Sequence, residues 1–443
     1  MSRKLSILLI LIVTAIGILA AYLVIRPQFT PEGESLAANG STASPPISPD
    51  ENEALLVFAR CMQDNGLPNF PDPKDGGINL NGTGLDPNSS DFRAASEACE
   101  SVRPQAPDSA QNERIVPGDS EWEKVVPGGD TKCADGSEFA FWVRTADPTK
   151  AVLFFEGGGA CWDATTCAFT DEDSTTYDWN ITGGDDPVFR GGIFDLANPD
   201  NPVADYSSVY VPYCTGDIHL GNRSQTYSPE LTVAHNGFVN GTVALAYLAE
   251  NYPDAQKVLV SGVSAGSVAA PVYAGLVSDA LPEAQITVLA DSSGAYPDDP
   301  DLNTEILGLW GAFETMPDWD VNEGLTAEEW GIPRFWIQAG QHNPEIVMAR
   351  FDYAFDQIQA AYMSLLGLDA SNLIASVDAN EALIEDAGVV QHSYTAPGSN
   401  HTVINNEEFY TMTVNGVKLV DWVEALISGE PLDDVHCDEC RME

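Results

Sequence analysis

Short apolar runs alternate with helical patterns from residue 121 to the end of the chain. Continuous apolar strands separated by helices are typical of a mostly parallel sheet that is covered on both faces. We therefore predict an α/β domain over residues 121–443. Its predicted strands, rich in β-branched and aromatic residues, are 139–143, 151–156, 207–213, 257–262, 286–291, 334–340 and 389–395, and its clearest helical patterns are 237–252 and 355–368.

The N-terminus has a different pattern. Residues Leu5 to Ile25 are apolar and uncharged, which is long enough to span a bilayer, and Arg3 and Lys4 precede them. We therefore predict that residues 1–25 are an uncleaved signal anchor and that the rest of the chain lies outside the cytoplasm. The alternative is cleavage near Ala20-Ala21, which would give a secreted protein. Residues 26–50, rich in Pro, Ser and Gly, indicate a flexible stalk.

Residues 51–104 predict a small separate module, and residues 105–120 a linker. Two helical patterns flank a turn-rich segment in this module. Each pattern contains one cysteine, so Cys61–Cys99 is the simplest disulfide within it. All eight cysteines indicate disulfides in an oxidising compartment. Cys437-x-x-Cys440 has no second C-x-x-C, so a structural disulfide is favoured over a zinc or redox site.

The charge excludes some partners. The chain has 67 Asp and Glu against 19 Lys and Arg, for a formal net charge of −48. Such a surface repels nucleic acid and anionic lipid. Neither an H-E-x-x-H nor an EF-hand spacing occurs, so we expect no metal and no cofactor. The sequence contains no signal for an oligomeric state.

The segment that bears on catalysis is Gly262-Val263-Ser264-Ala265-Gly266, the one G-x-S-x-G in the chain. An apolar strand precedes it and a helical pattern follows. In that context the serine lies on a strained turn that raises its Oγ above the sheet, and the glycines avoid clashes across the turn. Ser264 is thus a candidate nucleophile; a tight strand-to-helix turn that happens to contain a serine is the alternative.

A second strand ends in Glu156-Gly157-Gly158-Gly159. Consecutive glycines after a strand let backbone N–H groups turn toward a developing oxyanion. Gly158 and Gly159, with the N–H of Ala265, are the candidate oxyanion donors. A phosphate-binding loop is the alternative, but no P-loop or dinucleotide motif follows.

The triad order in α/β-hydrolases is Ser, acid, His. Four histidines follow Ser264, and His401 is favoured because it lies in a loop between the last predicted strand and the terminal helical pattern. For the acid, Asp291 ends the strand after the nucleophile helix, and Glu345, Asp352 and Asp356 are later candidates.

Several motifs together resemble the pectin acetylesterase and Notum-type carboxylesterase family. They are "FFEGGGACW", "VPYCTGD", "SGVSAGS", "LADSSG" and "SNHT", and they follow the family's order over about residues 130–425. The resemblance implies Ser264 as nucleophile, His401 as general base and Gly158, Gly159 and Ala265 as oxyanion donors. It also implies Asp356 as the acid, since Phe355-Asp356-Gln357-Ile358-Gln359 fits the family's aromatic-Asp-x-x-Gln stretch.

Two departures from the family pattern accompany this resemblance. Residues 341–350 stand as an insertion between the predicted strand 334–340 and Asp356, and the aromatic beside the second glycine is displaced to Trp162. The expected function is an extracytoplasmic serine esterase that removes acyl groups, with acetyl favoured, from a polysaccharide-like ester. An esterase for longer acyl or aryl esters is the in-class alternative, and a non-catalytic surface binding protein on a hydrolase scaffold is the other.

Overall fold

A computed structural model describes residues 49–73, 95, 98, 99, 121–170, 176–438 and 440. Its centre is a nine-stranded sheet with the strand order β1-β2-β4-β3-β7-β8-β9-β10-β13. The neighbours from β4 to β13 are parallel, while β1–β2 and β2–β4 are antiparallel. The strands are β1 (Glu123–Val125), β2 (Phe141–Arg144), β3 (Asp147–Phe155), β4 (Tyr206–Val211), β5 (Arg223–Ser228), β6 (Leu231–His235), β7 (Lys257–Val263), β8 (Gln285–Asp291), β9 (Val347–Tyr353), β10 (Gln391–Ala396), β11 (Thr413–Val414), β12 (Val417–Lys418) and β13 (Val435–His436).

Helices cover both faces of this sheet, as the continuous apolar strands predict. Alternate residues of β3 point to opposite faces: Leu153 and Phe155 join one apolar core, and Val152 and Phe154 join the other. The helices are α1 (Pro49–Asp64), α2 (Gly237–Asn251), α3 (Ala265–Ala280), α4 (Leu307–Trp310), α5 (Ile332–His342), α6 (Gln357–Leu365), α7 (Leu373–Asp386), α8 (Glu408–Thr411) and α9 (Leu419–Ser428). The α/β-hydrolase-like fold class is therefore confirmed.

One predicted strand is wrong. Residues 334–340 belong to helix α5, and the strand at this place in the sheet is β9, which begins inside the supposed insertion and extends beyond it. A short apolar run fits a buried helix as well as a buried strand, and Pro333 at the first helical turn favours the helix. We did not predict β9 as a strand because it contains two charged residues, Arg350 and Asp352, which are buried within it. Asp356 therefore follows its strand directly.

All eight cysteines form disulfides, as expected for a protein of an oxidising, extracytoplasmic compartment. The pairs are Cys61–Cys99, as predicted, Cys133–Cys214, Cys161–Cys167 and Cys437–Cys440. The predicted signal anchor, stalk, linker and most of the second module helix lie outside the described residues. Within the described ranges, no helix is both long enough and apolar enough to cross a membrane.

Candidate active site

Four loops that begin at the carboxyl ends of parallel strands form the candidate site: those after β3, β7, β9 and β10. Crevices at this edge of a parallel sheet are the usual binding sites of α/β folds. Gly157 follows β3, Ser264 follows β7, Asp356 follows β9 and His401 follows β10. The parallel topology thus brings residues from four distant parts of the sequence to one edge.

Ser264 occupies a sharp turn between β7 and α3. Its backbone has φ 51° and ψ −122°, a conformation that non-glycine residues rarely adopt. The turn is tightly packed: a Cβ on Gly266 would lie 2.1 Å from the carbonyl oxygen of Phe155, and one on Gly262 would lie 2.5 Å from the carbonyl carbon of Gly266. The glycines of the G-x-S-x-G motif are therefore required by close backbone approach, which is the physical reason for the motif.

The glycine loop after β3 runs directly beside this turn. A Cβ on Gly157 would lie 2.8 Å from the Cβ of Ser264. On its far side the loop pairs with residues 176–178: Asp178 N–H donates to the Gly158 carbonyl (2.8 Å), and Ala160 N–H donates to the Thr176 carbonyl (3.1 Å). The N–H groups of Gly158 and Gly159 have no acceptor among the described residues. Ala265 opens helix α3, where N–H groups have no partner within the helix.

Buried polar side chains fix the backbone at the start of the glycine loop. The carbonyl of Glu156 accepts a hydrogen bond from His219 Nε2–H (2.8 Å), and the Glu156 carboxylate pairs with Arg190. Burial raises the pKa of Glu156 to about 7 despite the Arg190 charge, and burial lowers the pKa of His219 to about 4. His219 therefore stays neutral and serves as a donor that fixes the loop.

His401 and Asp356 are hydrogen-bonded to each other. His401 Nδ1–H donates to Asp356 Oδ2 at 2.7 Å, and Asp356 is fully buried. The other ring nitrogen, Nε2, is buried and has no hydrogen-bond partner among the described residues. Because Nδ1 holds the proton, Nε2 presents its lone pair, which is the state a general base needs.

Asp291, the rival acid, lies against both the serine turn and the histidine loop. Its carbonyl accepts from Ser264 N–H (2.8 Å), and its Oδ2 accepts from Val403 N–H (2.7 Å) and Ile404 N–H (2.9 Å). Burial raises the pKa of Asp291 to about 6, and the two backbone bonds oppose this rise. The Asp291 carboxylate thus holds the His401 loop through its backbone, whereas Asp356 contacts the imidazole itself.

A mostly apolar pocket opens beside Ser264. It contains about 530 Å³ of empty space, its open mouth included. Ser264, Ala265, Gly159 and Ala160 lie on its wall, and its other lining residues are Trp162, Ile218, Val268, Tyr296, Leu302, Ile306, Leu307, Trp310, Ile332, Tyr362 and Leu366. We did not predict this pocket from the sequence. The sequence feature that could have indicated the pocket is the high apolar content of residues 302–310, which is unusual for a solvent-exposed loop.

Asp352, another candidate for the acid, is hydrogen-bonded to groups other than His401. Its carboxylate pairs with the buried guanidinium of Arg350 (2.6 Å) and accepts from Gly294 N–H (2.9 Å). Glu345 begins the turn before β9, at the opposite end of that strand from Asp356. Neither carboxylate has a hydrogen bond to His401 in the described part of the chain.

We expect Gly158→Ala to lower kcat about 10²- to 10³-fold for ester hydrolysis, the cost of one lost oxyanion donor. The added Cβ would lie 2.4 Å from Tyr213 Cδ1 and 2.7 Å from Asp178 Oδ2, so the loop must shift. Steady-state kinetics measure the effect, with Gly308→Ala as the control, since Gly308 lies in a helix without a positive φ and no atom lies within 4 Å of a Cβ there. Equal losses in both variants would contradict an oxyanion role for the loop.

Comparisons with known proteins find esterases that are similar to parts of this chain. Residues 125–310 match the sequence profile of the family described as Pectinacetylesterase. The chain is 25% identical over 173 residues to the palmitoleoyl-protein carboxylesterase notum2 of Xenopus laevis, covering 36% of this chain and 34% of the relative. It is 30% identical over 106 residues to the palmitoleoyl-protein carboxylesterase NOTUM of Schmidtea mediterranea, covering 23% and 20%.

A solved structure is similar as well. The Wnt deacylase Notum from Drosophila superposes with a TM-score of 0.54 at 16% identity, covering 71% of this chain and 95% of that one. This likeness concerns the fold. The matched segment spans only about a third or less of the curated relatives. Residues 125–310 are therefore similar in sequence to the pectinacetylesterase family, and the chain is similar to Notum-type carboxylesterases in part of its sequence and in its fold.

Proposed function

We propose that this protein is an extracytoplasmic serine carboxylesterase in which Ser264 is the nucleophile, His401 the general base and Asp356 the acid. The observation that carries the proposal is the His401–Asp356 hydrogen bond, which leaves Nε2 buried and without a partner among the described residues. His235, by contrast, has both ring nitrogens hydrogen-bonded, to Thr215 and Tyr227. The apolar segment Leu5–Ile25 supports an anchor on the outer face of a membrane.

In the proposed reaction, His401 Nε2 takes the proton of the Ser264 hydroxyl as Oγ attacks the ester carbonyl. The N–H groups of Gly158, Gly159 and Ala265 donate to the oxyanion that forms. The carboxylate of Asp356 stabilises the imidazolium, which then gives its proton to the departing alcohol and leaves an acyl-Ser264. A water molecule, deprotonated by His401, attacks the acyl carbon, and the carboxylic acid leaves as Ser264 regains its proton.

The pocket supports an apolar acyl group larger than acetyl. Every side chain that lines it beyond the catalytic wall is aliphatic or aromatic, which suits an apolar acyl chain better than the small acetyl group. The two curated relatives are named as palmitoleoyl-protein carboxylesterases, which is in keeping with a long acyl chain. We therefore place the acyl chain of the substrate among Val268, Leu307, Trp310 and Ile332.

Removal of acetyl groups from a polysaccharide is the second candidate. The description Pectinacetylesterase for the family that matches residues 125–310 favours it. The two candidates differ in acyl length and are separated by one substrate series.

We expect Val268→Phe to lower kcat/KM for long-chain p-nitrophenyl esters about 10- to 200-fold and to leave the acetate ester almost unchanged. Val268 is buried on the pocket wall, and the larger ring removes space that only a long chain uses. Initial rates along a series from acetate to palmitate measure this. The control is Leu365→Phe, an exposed residue of α6 that does not line the pocket.

Two outcomes would contradict the apolar-acyl proposal. One is an equal loss on acetate and palmitate in Val268→Phe. The other is a wild-type protein that releases acetate from acetylated pectin but does not cleave esters longer than butyrate.

A further inference from the structure

Gln359 lies in the first turn of α6, three residues after Asp356, and its side chain is fully buried. Its amide nitrogen donates to two carboxylates: Asp352 Oδ1 at 3.0 Å and Asp356 Oδ2 at 3.1 Å. Its amide oxygen accepts from Ala295 N–H at 3.1 Å. The side chain therefore bridges two acidic groups that are each completely buried.

The hydrogen-bond inventory of this amide is complete. A glutamine side chain has two N–H donors, and here each meets one carboxylate oxygen. The orientation of the amide is unambiguous, because a flipped amide would place its oxygen against the oxygens of Asp352 and Asp356, and its nitrogen against Ala295 N–H. No other neutral side chain of similar length has two donors and one acceptor in this arrangement.

Asp352 is itself firmly held. Arg350 Nη1 donates to Asp352 Oδ2 at 2.6 Å, and the same guanidinium pairs with Glu381 on helix α7 and donates to Gln391 Oε1 (3.3 Å). Arg350 is 3% exposed, so this pair is shielded from solvent. A continuous chain of hydrogen bonds thus runs from Arg350 through Asp352 and Gln359 to Asp356.

The two carboxylate oxygens of Asp356 have different kinds of hydrogen-bond partner. Its Oδ1 accepts from Ile358 N–H (2.8 Å) and Gln359 N–H (3.0 Å), which caps helix α6. Its Oδ2 has two partners, the Gln359 amide and His401 Nδ1. Rotation of the carboxylate about the Cβ–Cγ bond is restricted at Oδ1 by the two backbone N–H groups and at Oδ2 by the Gln359 amide, so Gln359 is the group that fixes the oxygen facing His401 directly.

We propose that Gln359 is a positioning residue that holds Asp356 Oδ2 on His401 Nδ1, and that the Arg350–Asp352 pair holds Gln359 in turn. This inference rests on the proposed function, in which Asp356 orients His401. Gln359 does not contact the substrate or the reacting atoms, and its influence reaches Ser264 through Asp356 and His401.

The test compares Gln359→Met, which keeps the length of the side chain and removes its hydrogen bonds, with the wild type. We expect kcat for a p-nitrophenyl ester to fall about 10²-fold with KM little changed, because misplacing a catalytic group by about 1 Å costs that much. The downfield proton NMR signal of His401 Nδ1–H is expected to shift or to broaden through faster exchange. Gln359→Glu, which replaces the donor with a third carboxylate, is expected to lose more activity.

Gln338→Met is the matched control. Gln338 is also buried, at 5% exposed, but it lies in helix α5 and has no side-chain hydrogen bond to a triad residue in the described part of the chain. We expect this variant to keep kcat and the His401 signal, which separates the loss of any buried glutamine from the loss of Gln359.

The inference is overturned if Gln359→Met retains kcat and the His401 signal within the range of Gln338→Met. Failure of the proposed function has a different signature. In that case Ser264→Ala hydrolyses esters as fast as the wild type, and Ser264 does not react with a fluorophosphonate. The His401 signal still decides the role of Gln359 then, because it reports on the Asp356–His401 hydrogen bond without any substrate.

Discussion

Ser264→Ala is expected to lower kcat for ester hydrolysis about 10⁴- to 10⁶-fold, the range found when a triad nucleophile is removed. Without Oγ no acyl-enzyme can form, so only the glycine loop and the pocket still assist the attack of water. The fold should persist, because the strained backbone at φ 51° tolerates alanine no worse than serine. Burst kinetics with p-nitrophenyl esters and labelling by a fluorophosphonate measure the loss.

Ser278→Ala is the control for this variant. Ser278 lies near the end of α3, the helix that begins just after Ser264; it is buried, and its hydroxyl donates to the carbonyl of Gly275. It should hydrolyse esters at the wild-type rate and react normally with the fluorophosphonate. Turnover in Ser264→Ala that matches Ser278→Ala would exclude Ser264 as the nucleophile.

The strands of the central sheet were predictable from the sequence where their buried residues are mostly apolar. The buried parts of β3, β4, β7 and β8 face both cores, so each appears as a mainly apolar run. β9 escaped prediction because its Arg350 and Asp352 are buried as an ion pair. A local pattern cannot show that two charged residues neutralise each other inside a core, since this depends on partners such as Glu381 that are distant in sequence.

The candidate site was predictable to the extent that local backbone geometry requires particular residues. A Cβ on any of the glycines around Ser264 or in the loop after β3 would lie 2.0–2.8 Å from its nearest neighbouring atom, so these positions require glycine and form recognisable motifs. The apolar pocket beside Ser264 was not predictable, because its walls come from α3, α4, α5 and α6 together. The role of Asp291 was equally hidden, since its partners Val403 and Ile404 lie more than 100 residues away.

The supposed insertion before Asp356 illustrates how one wrong element affects the reading of a site. With residues 334–340 taken as the strand, Asp356 stood too far along the chain to follow it directly. In the structure the segment Val347–Tyr353 is the strand and Asp356 lies three residues beyond it. The acid then occupies the same kind of position as Ser264 and Gly157, at the carboxyl end of a parallel strand.

Asp356→Asn is expected to lower kcat about 10⁴-fold while the protein remains folded. Asparagine is as good a helix cap as aspartate, so its Oδ1 can still accept from Ile358 and Gln359 N–H. Its Nδ2 would donate where Oδ2 accepts, so His401 Nδ1 must become the acceptor and Nε2 must hold the proton. An imidazole in that tautomer cannot take the proton of Ser264. Steady-state kinetics, with circular dichroism to check folding, measure the effect.

Asp291→Asn separates the two acids. The carboxylate of Asp291 contacts the backbone of the His401 loop and not the imidazole, and the carbonyl oxygen of asparagine can still accept from Val403 or Ile404 N–H. We therefore expect a loss of less than about 10²-fold, the scale of a modest misplacement. If instead Asp291→Asn abolishes kcat and Asp356→Asn leaves it near the wild-type value, with both variants folded, the acid is Asp291. The His401–Asp356 hydrogen bond would then serve only to hold the loop.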